Sequence, residues 1–252
     1  MKKFVHALVL PGLVGVSTFA MAAEPASPHT ISGNIAMTSD YLFRGVSQTQ
    51  NGPAIQGGFD YAHASGFYVG TWASNVAWVE KGGYKEDSSM EINLYGGYRG
   101  SMGDFGYDVG AITYYYPGDK ISGVKTPDTT ELYAGASWKF LSLKYSRAVS
   151  QNFIGWYDYA LGKKTRGSQY IELNANYDLG NGWGIAGHVG HQKVKNLSDA
   201  DYTDWKVGVS KDVGFGTVAL AYSSTNADDD VYVIDGEKIA DGRAILTFSK
   251  SF

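Results

Sequence analysis

Residues 171–190 read IELNANYDLGNGWGIAGHVG, and this stretch decides the fold class. Apolar residues occupy every second position from Ile171 to Tyr177, with polar residues between them, and the alternation resumes from Trp183 to Val189. Alternation with period two is typical of β-strands that have one apolar and one polar face. The stretch therefore predicts two strands joined by a short turn over residues 178–182.

The same period continues in both directions along the chain. Twelve segments alternate in this way, and only the third of them, residues 67–74, is less clear, because Tyr68 and Trp72 lie on the face opposite Val69. A soluble β-sandwich also alternates, so the pattern alone does not choose between a sandwich and a barrel. Twelve segments have this pattern, and they begin near residues 31, 55, 67, 91, 105, 131, 141, 170, 183, 205, 217 and 243.

The connections between these segments favour a barrel. Short connections, at 62–66, 100–104, 139–140, 178–182 and 211–214, alternate with long ones, at 44–52, 76–89, 117–129, 148–167, 193–203 and 224–241. Outer-membrane barrels have short periplasmic turns and long external loops. Every backbone polar group must be paired in lipid, so the strands must close on themselves. We therefore predict a 12-stranded antiparallel up-and-down transmembrane β-barrel with both termini in the periplasm.

Aromatic residues supply a second signal. They lie on the apolar face at both ends of the strands, where a membrane interface selects rings with an apolar body and a polar tip. The final residue, Phe252, ends an alternating strand, which is a common mark of outer-membrane barrels. Beside the short turns these aromatics are Tyr61, Phe67, Tyr98, Phe105, Trp138, Tyr177 and Trp183; toward the long loops they are Tyr115, Tyr145, Trp205 and Tyr222.

Composition excludes other classes. The 252 residues include 33 Gly and 19 Tyr, which argues against a helical protein, and no Cys, which excludes disulfides and thiolate sites. Lys2 and Lys3, the apolar residues 4–19 and an A-x-A site ending at Ala22 predict a signal peptide over residues 1–22 and a barrel over residues 23–252. Cleavage leaves 19 basic against 25 acidic residues, a net charge of −6, so nothing indicates a nucleic-acid partner.

Several motifs are similar to a known family. They are SDYLFRGVSQT at 39–49, PAIQGGFDY at 53–61, GFYVGTWASNV at 66–76, YGGYR at 95–99, YDVG at 107–110, YYYPG at 114–118, TELYAGAS at 130–137 and GHVGHQ at 187–192. Together they resemble the TorF-type porin family of proteobacterial outer-membrane proteins, over nearly all of the mature chain. The resemblance implies an outer-membrane barrel. Some members are associated with small nitrogenous solutes such as trimethylamine N-oxide or ammonium, but no family binding motif can be carried over.

The face opposite the apolar one is polar and of mixed charge. Acids and bases that face each other across a pore would set up a field along the path of a small polar solute. The alternative is that ion pairs inside a narrow barrel hold the wall together and block it. The candidates for pore lining or constriction are Asp40, Arg44, Asp60, Glu91, Arg99, Asp108, Glu131, Lys144, Glu172, His188, Lys206 and Arg243; Arg147 was assigned to the same face.

Residues 39–49 form the most informative local segment. Asp40, Arg44, Ser47, Gln48 and Thr49 lie at the outer end of the first strand and in the first long loop. A loop so rich in polar side chains could fold inward as a constriction. Equally, it could be an ordered surface loop in which the Asp and the Arg pair with each other.

We expect passive diffusion of small polar solutes, nitrogen-containing ones among them, with no cofactor and no metal. A closed barrel for adhesion or envelope integrity is an alternative. A lipid-modifying enzyme would need a Ser–His pair on the lipid face; His191 points outward near the outer rim, but Gly190-His191-Gln192-Lys193 offers no nucleophile. The expected partners are outer-membrane lipid and lipopolysaccharide, and the barrel-assembly machinery through the strand that ends at Phe252.

Overall fold

The twelve alternating segments pair with their sequence neighbours, and the first pairs with the last. A computed structural model, which describes residues 27–252, shows a closed antiparallel barrel of twelve strands, so the predicted fold class is confirmed. The predicted signal peptide lies outside the described residues. The strands are β1 (His29–Thr38), β2 (Ala54–His63), β3 (Phe67–Asn75), β4 (Met90–Met102), β5 (Phe105–Tyr115), β6 (Thr129–Trp138), β7 (Leu141–Ala148), β8 (Gln169–Gly180), β9 (Trp183–Lys193), β10 (Tyr202–Asp212), β11 (Thr217–Thr225) and β12 (Arg243–Ser251).

The long connections carry their own small elements. Helix α1 (Trp78–Lys81) and a 3₁₀ turn (Ser198–Ala200) lie in the second and fifth of them. Among residues 27–252, no helix has the length and apolar character that crossing a bilayer requires. The short strand pairs are Leu42–Phe43 with Val46–Ser47, Lys85–Glu86 with Asp119–Lys120, Tyr157–Asp158 with Lys163–Lys164, and Val233–Ile234 with Glu237–Lys238.

Short and long connections alternate around the barrel as predicted, and the strand ends His29 and Ser251 lie at the short-turn end. Four strands run two or three residues further into the short turns than the sequence pattern indicated. Between β4 and β5, for example, backbone pairing continues to Met102↔Phe105 and leaves a turn of two residues. Side-chain alternation fades in such Gly-rich ends, but main-chain hydrogen bonding does not.

The seam between β1 and β12 closes the barrel. Register runs from Asn34↔Ser251 to Thr38↔Thr247. Beyond it, the Gly33 amide donates to the Phe252 carbonyl at 2.8 Å, and the Phe252 amide donates back at 3.0 Å. A Cβ at Gly33 would come within 2.6 Å of the Phe252 ring, so only glycine lets the terminal ring approach this closely. Among residues 27–252, none of the twelve barrel strands is left with an open edge, which a lipid environment requires.

The barrel is apolar outside and polar inside. Inward positions hold buried polar residues such as Gln56, Glu91 and Asp204. This distribution is the reverse of a soluble protein and suits a wall with lipid on one side. The exposed outer residues include Ile31, Ile35, Ile55, Phe59, Val69, Leu94, Val109, Leu132, Leu143, Leu173, Val189, Val207, Leu220 and Leu246.

The structure also places the predicted aromatic bands on the outer wall. Phe67 and Tyr98 make an edge-to-face contact at 5.1 Å beside a short turn, and Trp205 and Tyr222 lie 5.6 Å apart toward the long loops. The unclear third segment is now resolved, because Tyr68 and Trp72 share the inward face of β3 with the buried Ser74. Aromatic residues therefore line the lumen as well as the outer wall.

Candidate functional site

The first long loop turns into the barrel. Leu42–Phe43 pairs with Val46–Ser47, and the two turn residues Arg44 and Gly45 have positive φ angles of 52° and 80°. Two positive φ angles in succession are the geometry of a tight two-residue hairpin. Residues 40–49, which we call the luminal hairpin, are all buried except for Leu42, which is half-buried.

Arg44 anchors the tip of the luminal hairpin to the wall. Its guanidinium donates to both carboxylate oxygens of Glu131, at 3.1 and 2.7 Å, and to Gln192 Oε1 at 2.8 Å. It also lies 4.2 Å from the centre of the Tyr170 ring. Glu131 is on β6, five strands around the barrel from β1, so the anchor reaches across the lumen. Bidentate, charge-assisted bonds of this kind are among the strong polar contacts in proteins.

The Arg44 guanidinium remains protonated in this site. Burial by itself would lower the pKa of Arg44, but the carboxylate of Glu131 more than offsets this and holds the pKa above its ordinary value. Both side chains are almost completely shielded, at 3% and 1% exposure. A guanidinium in this setting keeps its charge at every physiological pH.

Gly45 lets the tip sit tightly against the opposite wall. A Cβ there would come within 2.6 Å of Thr225 Cγ2 and 2.7 Å of Asp204 Cβ. The position also needs a positive φ, which glycine adopts without strain. Any side chain at Gly45 would therefore push the tip away from β10 and β11.

The base of the luminal hairpin is held by a second charged group. Asp40 accepts from Ser47 Oγ at 2.6 Å, from Thr49 Oγ1 at 2.9 Å and from Arg243 at 2.9 Å. The Ser47 amide also donates to the carbonyl of Ile239, in the final long loop, at 2.7 Å. Asp40 and Arg44 therefore pair with the wall and not with each other, and the surface-loop alternative is wrong.

Tyrosine–carboxylate bonds surround the luminal hairpin. Tyr41 donates to Glu91 at 3.1 Å, and Tyr170 donates to Asp204 at 2.8 Å. Together with the hairpin these groups fill the outer half of the lumen. Every barrel strand presents a buried inward residue in this half: Thr38, Gln56, Ser74, Glu91, Tyr114, Glu131, Ser146, Tyr170, Gln192, Asp204, Ser223 and Ile245.

The inner half of the lumen is polar and less shielded. Tyr95 donates to Asp60 and Tyr68 donates to Asp108, both at 2.7 Å. Arg99, which is exposed toward the short-turn end, lies 5.0 Å from the Tyr68 ring. Charges of both signs thus face the space beneath the luminal hairpin.

A second polar group lies on the other side of this space. His188 contacts Asp204 at 2.8 Å and Asn174 at 2.7 Å, with Glu172 at 3.7 Å. Lys144 is paired in register with Glu172, and Lys206 with His188. Among residues 27–252, no cluster of three or more His, Asp or Glu side chains has the arrangement that a metal ion needs.

All twelve candidates named from the sequence face the lumen or belong to the luminal hairpin. Arg147 does not: it is exposed on the outer wall, because it shares the parity of Tyr145, and its assignment to the lumen was wrong. Asp204 was missed, because the tenth strand was predicted to begin at Trp205, whereas β10 starts at Tyr202. Inward positions recur every second residue along a strand, so the inward position of Lys206 also predicts an inward Asp204.

The fold is similar to that of solved porins. A KdgM porin superimposes with a TM-score of 0.53 at 10% identity, covering 88% of this chain and 98% of that one. A structure described as the NanC porin gives 0.50 at 10% identity, covering 87% and 98%. A comparison with curated proteins found no match.

The predicted link to the TorF-type family is not confirmed by these comparisons and stays a prediction. A family model described as "Bacterial protein of unknown function (Gcw_chp)" matches residues 22–252. The match spans the whole barrel, and the chain belongs to this family.

Proposed function

We propose that this protein is an outer-membrane channel of a Gram-negative bacterium, through which small polar solutes diffuse passively, and that the luminal hairpin closes the channel in the conformation seen here. The observation that carries the proposal is the charged anchor between Arg44 and Glu131 inside the barrel. A barrel filled only for stability would do at least as well with apolar packing, because a buried ion pair adds little over apolar groups of the same size.

The anchored segment can leave without disturbing the wall. The luminal hairpin belongs to a connection and supplies no strand to the barrel, so its release would break side-chain contacts and main-chain bonds to other loops, such as Ser47 to Ile239, but no barrel ladder. Beneath it, Asp60, Asp108 and Arg99 already line a polar space. Carboxylates paired with tyrosine hydroxyls also suit N–H donors, which fits ammonium among the nitrogenous solutes suggested by the family resemblance.

The same proposal gives the protein an orientation. The short turns and both strand termini would face the periplasm, with the six long loops outside. The acidic final loop, with Asp228, Asp229 and Asp230, would lie near lipopolysaccharide and its bound cations. The barrel-assembly machinery would recognise the strand that ends at Phe252.

Planar-bilayer recording tests the proposal. We expect discrete conductance steps from the purified protein, and a larger or more frequent conductance when residues 41–48 are replaced by a Gly-Ser linker. Arg99→Ala should shift the reversal potential toward cation selectivity, because it removes a positive charge from the lumen. Lys139→Ala removes the same charge from a short turn, where Lys139 is exposed and lies against the outward-facing ring of Trp138, and it should leave the reversal potential unchanged.

The closed-barrel function is the second candidate, and the buried layer around the luminal hairpin favours it. It predicts no conductance steps from either the native protein or the linker variant, each shown to be folded by heat-modifiable migration on gels.

An enzyme is a lesser alternative: His191 lies exposed on the outer wall with Nδ1 3.0 Å from Thr203 Oγ1. Phospholipid hydrolysis that His191→Ala abolishes would support the enzyme and contradict the channel as the primary function.

A further inference from the structure

A separate cavity of about 340 Å³ opens on the outer side of the luminal hairpin. It has the size of small-molecule sites, which begin near 300 Å³. Its floor is formed by Phe43, Val46 and Gln48 of the luminal hairpin, and its walls by three other long connections and the start of β10. We call it the mouth cavity.

The walls of the mouth cavity are mostly apolar, and their largest side chains are aromatic. Trp78 meets Tyr84 edge-to-face at 5.3 Å, and Trp156 meets Tyr232 at 5.6 Å. These contacts hold the rings in place, so the surface offered to a ligand is already formed. The apolar side chains around an open cavity of this size meet water there, and they lack the van der Waals contacts that a denser partner would supply. A ring-shaped apolar molecule would restore them.

The charges of the mouth cavity indicate a neutral ligand. Of the lining residues only Lys81 and Asp235 are charged; their side chains are 49% and 66% exposed, and Lys81 Nζ lies 3.9 Å from Asp235 Oδ2. Each neutralises the other, so neither an anion nor a cation finds an unmatched partner. This separates the mouth cavity from the lumen below, where charges of both signs face the space.

Two lining residues also carry polar atoms without a partner. Among the described residues, neither Gln48 Oε1 nor the indole N–H of Trp78 has a hydrogen-bond partner. Both side chains are buried and both line the mouth cavity, so one acceptor and one donor stand without partners in its lining. An amide group supplies the complementary pair, an N–H donor and a C=O acceptor.

We propose that the mouth cavity binds a neutral, flat ring compound that carries an amide or an equivalent donor–acceptor pair. The bound molecule would lie against the outer face of the luminal hairpin. The inference does not depend on the channel function, because binding at this cavity can be measured whether or not the barrel conducts.

Benzamide is a suitable probe, with the full-length protein in lipid nanodiscs and saturation-transfer NMR as the readout. We expect saturable binding that empty nanodiscs lack. Trp78→Phe and Gln48→Leu should each weaken it by about fivefold to tenfold, the effect of one lost hydrogen bond of ~1 kcal/mol. N,N-dimethylbenzamide, which has no N–H, and benzoate, which is charged, should bind more weakly than benzamide.

Two further variants keep the test decisive if Gln48→Leu disturbs the luminal hairpin. Val233→Trp, at an exposed lining position, should fill the mouth cavity and abolish binding. Trp183→Phe, on the outer wall beside a short turn, should leave binding unchanged. Saturable binding that Val233→Trp does not affect would place the probe elsewhere and overturn the proposal, as would a signal equal to that of empty nanodiscs.

Discussion

Replacing Arg44 with Met should open the barrel. The substitution keeps most of the side-chain volume and removes the three hydrogen bonds to Glu131 and Gln192. Glu131, which is 1% exposed, is then left as a buried carboxylate without its cation. The luminal hairpin loses its hold on the opposite wall, while none of the twelve strands changes its backbone pairing.

The size of the effect follows from the burial of the pair. Removing one partner of a buried ion pair costs about 3–5 kcal/mol. If that cost applies to the seated hairpin and is relieved when the hairpin leaves and water reaches Glu131, the equilibrium shifts toward the released state. At about 1.4 kcal/mol per factor of ten, the shift is roughly a hundredfold to a few thousandfold. A barrel that is rarely open would then be open much of the time.

Single-channel recording measures this directly as open probability. Arg44→Met combined with Glu131→Leu should return close to the native value, because no buried charge remains unpaired and apolar groups take its place. Arg243→Met should have a smaller effect, since its bond to Asp40 is more exposed, at 16% for the arginine. The reasoning fails if Arg44→Met conducts like the native protein, or if the double variant stays as open as the single one.

Three further predictions concern the hairpin tip, the outer wall and the outer loops. Gly45→Ala should raise the open probability because its Cβ collides with the opposite wall, whereas Gly236→Ala, with a similar φ and nothing within 4 Å, should not. Leu220→Arg should lower the free energy of unfolding in vesicles by about 2–4 kcal/mol, and Val233→Arg, in a loop, by less than ~0.5 kcal/mol, as denaturant titration would show. Burial raises the pKa of Tyr84 from 10.0 to about 12, so the stability that the neutral hydroxyl gives to the long loops is complete below pH 10 and is lost as the pH approaches 12. Protease resistance of these loops should therefore fall between pH 10 and 12, and Tyr84→Phe should make the fall smaller.

The wall of the barrel is readable from the sequence because lipid and lumen impose opposite demands on adjacent residues. Ile171 and Leu173 face outward, and Glu172 between them faces in, as the alternation requires. The same rule extends to Asp204, once β10 is allowed to begin at Tyr202. Arg147 shows the cost of departing from the rule, since its position in β7 assigns it to the outer surface.

The interior contacts are not readable in this way. Arg44 meets Glu131 and Gln192 across sequence separations of 87 and 148 residues, and no local pattern connects them. The loop's polar composition indicated that it could turn inward, but its partners depend on where the barrel places β6 and β9. The tyrosines escape prediction for a different reason: a pattern of charges identifies acidic and basic residues, whereas Tyr41 and Tyr170 act through neutral hydroxyl groups bound to carboxylates.

The seam has a consequence for how the protein is made. Its two strands, β1 and β12, lie far apart in the sequence, so the cylinder cannot be completed until β12 has been synthesised. Contacts between such distant positions form slowly, because a long loop must be ordered before they are gained. Until then the backbone groups of Gly33 have no strand partner and could pair with another chain, and a variant truncated before Phe252 would lack the carbonyl and the amide that pair with them.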